Sequence, residues 1–271
     1  MGAQRIFKSD EARARLAEWY DKFLAKIDGP VERREVPTAQ GPSHVLLAGD
    51  PANPPLVCLH GSLASSAHLL SELTTLLARY RLILPDLPGQ SVKGPQVRMS
   101  YKDDSLARWV VEVLDGLGVG TFDLLGVSWG GFAARMTATF IPDRVRKLVL
   151  LVPAGVVTGP VWKGITQMAI PLTLYKLFPS ERRLKRFFTP LFTTWDDDWA
   201  GYMGRVPGLC ARPPHPPGGD RRATPEANDA HARHRGRAGR LVPGREGPEP
   251  REGATTQRRD RTAGGQQARG S

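Results

Sequence analysis

The chain has 271 residues, of which 24% are charged, and a formal net charge of +11. That length suits one large α/β domain with a substantial core. No apolar run approaches the ~20 residues of a membrane span, Leu148–Val157 coming nearest, and the opening Met1-Gly2-Ala3-Gln4-Arg5 leads into mixed charge without the apolar core of a secretory signal, so a cytoplasmic location is expected.

Two cysteines, Cys58 and Cys210, make no disulfide framework, and Cys58 lies in an apolar strand pattern as a core residue. The charge is uneven. Residues 1–204 hold 24 Lys and Arg against 20 acids, whereas residues 205–271 hold 14 Arg, no Lys and 7 acids. Arg-rich tails can bind nucleic acid, but this one has no aromatic residue for base stacking and no helical or strand period. Neither a nucleic-acid nor a membrane partner is expected; oligomeric state is not readable.

In chain order, Asp10 to Ile27 has helical spacing (Leu16, Trp19, Tyr20, Phe23, Leu24, Ile27) and predicts an N-terminal helix within residues 1–30. Short apolar runs follow at His44–Ala48, Leu56–Leu59, Arg81–Leu84, Phe122–Leu125 and Lys147–Val152. Helical patterns at Ser65–Leu77, Lys102–Leu117 and Trp129–Phe140 separate several of them. Strands that are apolar on both faces, alternating with helices, predict a mostly parallel sheet covered on both sides over residues 31–155. Reactive groups in such sheets collect at the carboxyl ends of the strands.

Beyond Gly155, Trp162–Leu177 and Glu181–Phe188 read as amphipathic helices broken by Pro171, Pro179 and Pro190. Over residues 156–204 they would form a cap, or else plain packing helices. Residues 205–271 contain nine Pro, eleven Gly and only four large aliphatic residues (Val206, Leu209, Leu241, Val242). Such a segment buries too little apolar surface to offset its chain entropy and is expected to be disordered.

One stretch carries chemistry. Gly126-Val127-Ser128-Trp129-Gly130-Gly131 follows the run Phe122–Leu125 and opens the helix at Trp129. A G-x-S-x-G turn between strand and helix is too tight for side chains beside the serine. It projects the hydroxyl from the sheet with the next N–H facing the same point. The plainer alternative is a Gly-rich turn with a capping serine. Leu59-His60-Gly61-Ser62 ends another strand, where the N–H of Ser62 can point at a developing oxyanion; His60 reads as a buried turn-shaping residue, not a base. Leu84-Pro85-Asp86-Leu87-Pro88-Gly89-Gln90-Ser91 reads as a polar turn with Asp86 bonding backbone. Phe140-Ile141-Pro142-Asp143-Arg144 closes the helix and leads into the next strand.

These four motifs, in this order and spacing, resemble the α/β-hydrolase superfamily, in particular its bacterial carboxylesterase-like members, from about residue 31 to about residue 203. The resemblance implies the α/β-hydrolase fold with a helical cap, Ser128 as nucleophile, the backbone amides of Ser62 and Trp129 as oxyanion hole, and ester hydrolysis of a small molecule through an acyl-enzyme, with no metal or organic cofactor. A serine at the turn argues against the family's haloalkane dehalogenases and epoxide hydrolases, which use an aspartate there. The family also places an acid after the seventh strand and a histidine after the eighth. Nothing downstream of residue 205 resembles either strand. His215, His231 and His234 sit in Pro- or Arg-rich sequence, and Pro153-Ala154-Gly155 offers no carboxylate at the less common acid position.

The tail has two readings. Its Arg, Gly, Pro and Ala excess is what GC-rich coding DNA yields out of frame. Shifted by one nucleotide, residues 229–244 permit a strand ending in an aspartate whose codon spans Gly239 and Arg240. Residues 260–269 permit a strand followed by a histidine spanning Ala268 and Arg269. A slip near codon 204 therefore accounts for the missing strands; the alternative is a genuine extension on a divergent hydrolase. Either way the acid and histidine are absent in frame. The expected function is that of a carboxylesterase-like serine hydrolase impaired in this chain, with a non-catalytic truncated α/β fold as the alternative.

Overall fold

The structure, a computed structural model, describes residues 6–157, 165–189 and 196–209. Helix α1 (Asp10–Leu24) starts where the Ser9 hydroxyl accepts the N–H of Ala12 at 3.1 Å, with Asp10 and Glu11 against the positive end of the dipole. Ala12, Leu16, Tyr20 and Phe23, one helical stripe, are buried.

Six strands follow: β1 (Val31–Val36), β2 (Ser43–Ala48), β3 (Pro55–Leu59), β4 (Arg81–Pro85), β5 (Phe122–Val127) and β6 (Val145–Leu151). They form one sheet in the order β1-β2-β4-β3-β5-β6. The pairs β1/β2 and β2/β4 are antiparallel, and the remaining three pairs are parallel. Helix α2 (Ser66–Glu72) follows β3, α3 (Ser105–Gly116) follows β4, and α4 (Trp129–Phe140) follows β5.

Period-2 alternation along the strands builds a core on each face. Leu46, Leu56, Cys58, Leu82 and Leu84 pack with Leu16, Tyr20, Phe23 and Leu70, from α1 and α2. Val45, Leu47, Val57, Leu59 and Ile83 pack on the other side with Trp109, Val110, Phe132 and Ala133, from α3 and α4. Each Val, Leu, Ile or Phe among them, fully buried, contributes about 1.5–3 kcal/mol over exposure. Cys58 lies opposite Leu125 in the sheet interior, and burial pushes its thiol well up from the usual range.

After β6 come a π-helical turn (Ile165–Ala169) and helices α5 (Ile170–Leu177), α6 (Glu181–Phe188) and α7 (Asp197–Leu209). Helix α7 returns to the N-terminus: Asp198 pairs with Lys22 at 2.5 Å and Lys26 at 2.6 Å, and Trp199 and Tyr202 pack on Phe23 and His68.

Several elements differ from the sequence reading. Strand β1 has no apolar run, because four of its six residues are exposed and charged. The Ser65–Leu77 pattern divides into α2 and a 3-10 turn, Thr74–Ala78. Trp162 lies outside the described residues, so the helical pattern there is represented by the π turn and α5. The boundary expected at residue 205 falls inside α7, which runs on to Leu209 with Val206 buried. Composition marks the break earlier because it does not register that Val206 packs with the core around α1. From residue 210 onward the expected tail, with His215, His231 and His234, lies outside the described residues, within which the sheet ends at β6.

Candidate active site

Val127 ends β5 and Trp129 begins α4, leaving Ser128 alone to make the turn. Its backbone sits at φ 52° and ψ −111°, a left-handed conformation that costs a residue with a β-carbon of order 1–3 kcal/mol. The neighbouring glycines are sterically required. A β-carbon on Gly126 would overlap the Gly130 carbonyl, and one on Gly130 would overlap the Leu59 carbonyl. The turn is held by Ser128 N–H donating to Leu151 O at 2.9 Å and by Ala154 N–H donating to Ser128 O at 2.9 Å. Although Ser128 occupies the N-cap position of α4, its side chain makes no cap hydrogen bond. The hydroxyl is therefore not consumed by the helix, which removes the capping-serine alternative.

The same packing brings the second motif to the serine. A β-carbon on Gly61 would lie 3.7 Å from that of Ser128, so the His60-Gly61-Ser62 loop runs beside it. The His60 ring is fixed in its neutral Nδ1–H form: Nε2 accepts the Leu87 N–H at 2.9 Å and Nδ1 donates to Gly61 O at 2.8 Å. Burial lowers its pKa, opposed by Asp86. It shapes the loop, as its place in the sequence indicates.

The loop is fastened from two further sides. The Gln90 side-chain carbonyl accepts from Ser62 Oγ at 2.9 Å and from the Leu63 N–H at 3.2 Å. Tyr202 of α7 donates its hydroxyl to Leu63 O, and Leu63 itself sits at φ 56°. The N–H groups of Ser62 and Trp129 donate to no acceptor among the described residues.

Beneath the loop lies a fully buried carboxylate. Asp86 accepts from Ser66 N–H (2.9 Å), Ser66 Oγ (2.6 Å), Ser91 Oγ (2.5 Å), His44 Nδ1 (2.9 Å) and Tyr20 OH (3.2 Å). Burial favours the protonated acid, but these donors, His44 foremost, outweigh it and hold Asp86 below the usual carboxylate range. An ionised carboxylate only accepts, so His44 carries its proton on Nδ1. Reading Asp86 as a turn residue bonded to backbone understated it: it joins α1, β2, α2 and the 86–91 turn.

Three histidines fall among the described residues, His44, His60 and His68. All are buried, and none hydrogen-bonds Ser128. His68 is packed among Phe23, Trp199 and Tyr202 with Nε2 unpartnered, and burial lowers its pKa to about 3. Among the described residues no group of His, Cys, Asp and Glu could hold a metal ion, and no helix is long and apolar enough to cross a membrane.

Sequence reasoning missed Gln90 and Tyr202. Both reach the loop across long separations, through contacts that no local pattern encodes.

A sheet of this order with a strained serine between strand and helix defines a class, and sequence comparison agrees. Residues 54–213 match the family described as alpha/beta hydrolase fold, and the chain belongs to that family. Carboxylesterase YbfK of Bacillus subtilis is 31% identical over 149 residues, covering 55% of this chain and 50% of that protein. Carboxylesterase nap of the same organism is 31% identical over 119 residues, covering 44% and 40%. The match thus spans half or less of these relatives. Among solved structures, naproxen esterase from Bacillus subtilis superposes with a TM-score of 0.62 at 22% identity, covering 77% of this chain and 73% of that one. A second hydrolase of the same organism superposes with a TM-score of 0.63 at 21% identity, covering 77% and 72%. At that identity the likeness speaks for the fold.

Proposed function

We propose that this fold is built for ester hydrolysis through an acyl-enzyme on Ser128. The serine oxygen attacks the carbonyl carbon while a base removes its proton. The amides of Ser62 and Trp129 receive the negative charge that develops on the carbonyl oxygen. The C–O bond then breaks, the alcohol leaves with the proton, and water releases the acid by the reverse steps. Each oxyanion donor is worth roughly 3–4 kcal/mol of barrier. The observation that carries the reading is the left-handed backbone of Ser128 with its hydroxyl free of the helix cap. The carboxylesterase relatives favour a small-molecule ester as substrate.

A second reading has its own observation. Among the described residues no histidine hydrogen-bonds Ser128, and the in-frame candidates further on lie in Pro- and Arg-rich sequence. Without a positioned base a serine hydroxyl is a poor nucleophile, so this chain is impaired, either as a damaged hydrolase or as a non-catalytic fold. A one-nucleotide slip explains the tail. That slip would lie near codon 204, where the composition changes. On this reading residues 31–155 are the catalytic core, residues 156–204 the cap, and the protein is cytoplasmic.

Fluorophosphonate labelling of the full chain beside Ser128→Ala, with turnover of a short-chain aryl ester, tests the first reading. Labelling confined to the unsubstituted protein supports Ser128 as nucleophile; neither labelling nor turnover leaves the non-catalytic fold. Sequencing the gene across codons 195–271 and past the stop tests the slip. A frame that restores strand, aspartate, strand and histidine identifies a repairable hydrolase.

A further inference from the structure

Strand β6 ends the sheet, pairing only with β5 among the described residues. Its side chains are those of an interior strand, yet Leu148, Val149 and Leu151 are 39%, 43% and 45% exposed. The direction of its free hydrogen-bonding groups can be read. Leu151 O accepts from Ser128 N–H, so its backbone groups face inward, toward β5. By alternation those of Val149 and Lys147 also face inward, and those of Leu148 and Leu150 face outward. A register shift sits at the start of the strand and Val152 turns to φ 42°, so the regular edge is Lys147–Leu151.

We infer that this edge pairs with β6 of a second copy of the chain, antiparallel about a two-fold axis at Val149, continuing the sheet across a dimer. Both outward residues then meet outward partners, Leu148 opposite Leu150 and Leu150 opposite Leu148, which is the condition for a hydrogen-bonded antiparallel pair. Val149 faces its own counterpart as a close β-branched pair, and Lys147 faces Leu151. A register shifted by one step toward the N-terminus would oppose Lys147 to Lys147. Charge also disfavours the chain's own C-terminus as occupant: residues 210–271 hold 13 Arg against 7 acids, whereas a second copy of Lys147–Leu151 brings one lysine, which this register sets opposite Leu151. A two-fold pairing consumes the edge on both copies and closes. The inference rests on the sheet alone and stands whether or not Ser128 reacts.

The test is the mass of the full chain by light scattering after size exclusion, at tens of micromolar protein. The expected result is twice the 29.7 kDa chain mass. Val149→Lys opposes two lysines at the axis and returns the mass to that of one chain, with circular dichroism unchanged. Leu151→Glu faces Lys147 and lowers the dimer dissociation constant several-fold relative to Leu151→Lys, a difference that shrinks in high salt. Val149→Cys in a Cys210→Ser background cross-links into a covalent dimer under mild oxidation. A single-chain mass at all concentrations, open-ended aggregates in place of dimers, or a dimer indifferent to Val149→Lys would each overturn the pairing.

Discussion

The two ends of the sheet are both edges, but they are differently made. At the β1 end the exposed positions are Glu32, Arg33, Arg34 and Glu35, two charges of each sign on a strand that pairs antiparallel with β2. Behind it, the Asp86 network ties α1, β2 and α2 together through Tyr20, His44 and Ser66. At the β6 end the exposed positions are Leu148, Val149, Leu151 and Val152, on a parallel strand. Charged residues on an edge oppose pairing with other chains, and apolar ones invite it. The contrast teaches that β1 is a finished boundary, whereas β6 has the composition of a strand with neighbours on both sides.

The largest effect should come from breaking the finished end. Asp86→Ala leaves Tyr20, His44 and Ser66 buried without their common acceptor and should cost about 3–5 kcal/mol, the usual penalty for deleting one partner of a buried charged network. Urea unfolding of the two proteins measures it. A loss under about 1 kcal/mol would mean that the network does not hold that end together.

Acid should act next. His68 and His60 have folded pKa values below the ordinary 6.5, so the unfolded chain binds more protons than the folded one once pH falls below that value. Stability is therefore full above about pH 6.5 and declines below it, by about 1.4 kcal/mol per pH unit for each histidine held neutral. Asp86, with a depressed pKa, adds to the loss only at lower pH, where it protonates in the folded state. The midpoint of thermal unfolding, followed from pH 7.5 to 5, should fall steadily, and His68→Leu should reduce the slope.

The smallest changes sharpen the comparison itself. Val152→Lys, at a position 80% exposed, should leave monomer stability within about 0.5 kcal/mol while lowering the turbidity that develops on heating. Glu32→Thr with Arg34→Thr should do the reverse at the other edge, raising turbidity with equally little change in unfolding free energy.

How far the sequence foretold this arrangement follows from the same contrast. Strands β2 to β6 announce themselves as apolar runs because they are composed for burial on both faces. That holds even for β6, whose runs do not reveal that its outer side is open. Strand β1 stayed hidden because only Val36 of its six residues is buried. Helix α7 stayed hidden because Gly201, Gly204 and Pro207 disguise its period, and its contacts are with α1, far away in sequence. At the site, the glycines around Ser128 were readable because tight backbone approach admits no other residue. The grip of Gln90 and Tyr202 on the Ser62 loop was not, since each is a single side chain meeting backbone from a distant segment.

One residue buried in the middle of all this is useful as a clock. The Cys58 thiol sits within β3, between β4 and β5, with no exposed surface. Its side chain faces the α1 and α2 layer, so a thiol reagent reaches it only when those helices part from the sheet. With Cys210 replaced by serine, the rate at which Cys58 is trapped would time that parting directly, so the same protein can report how long that layer stays shut under any condition chosen.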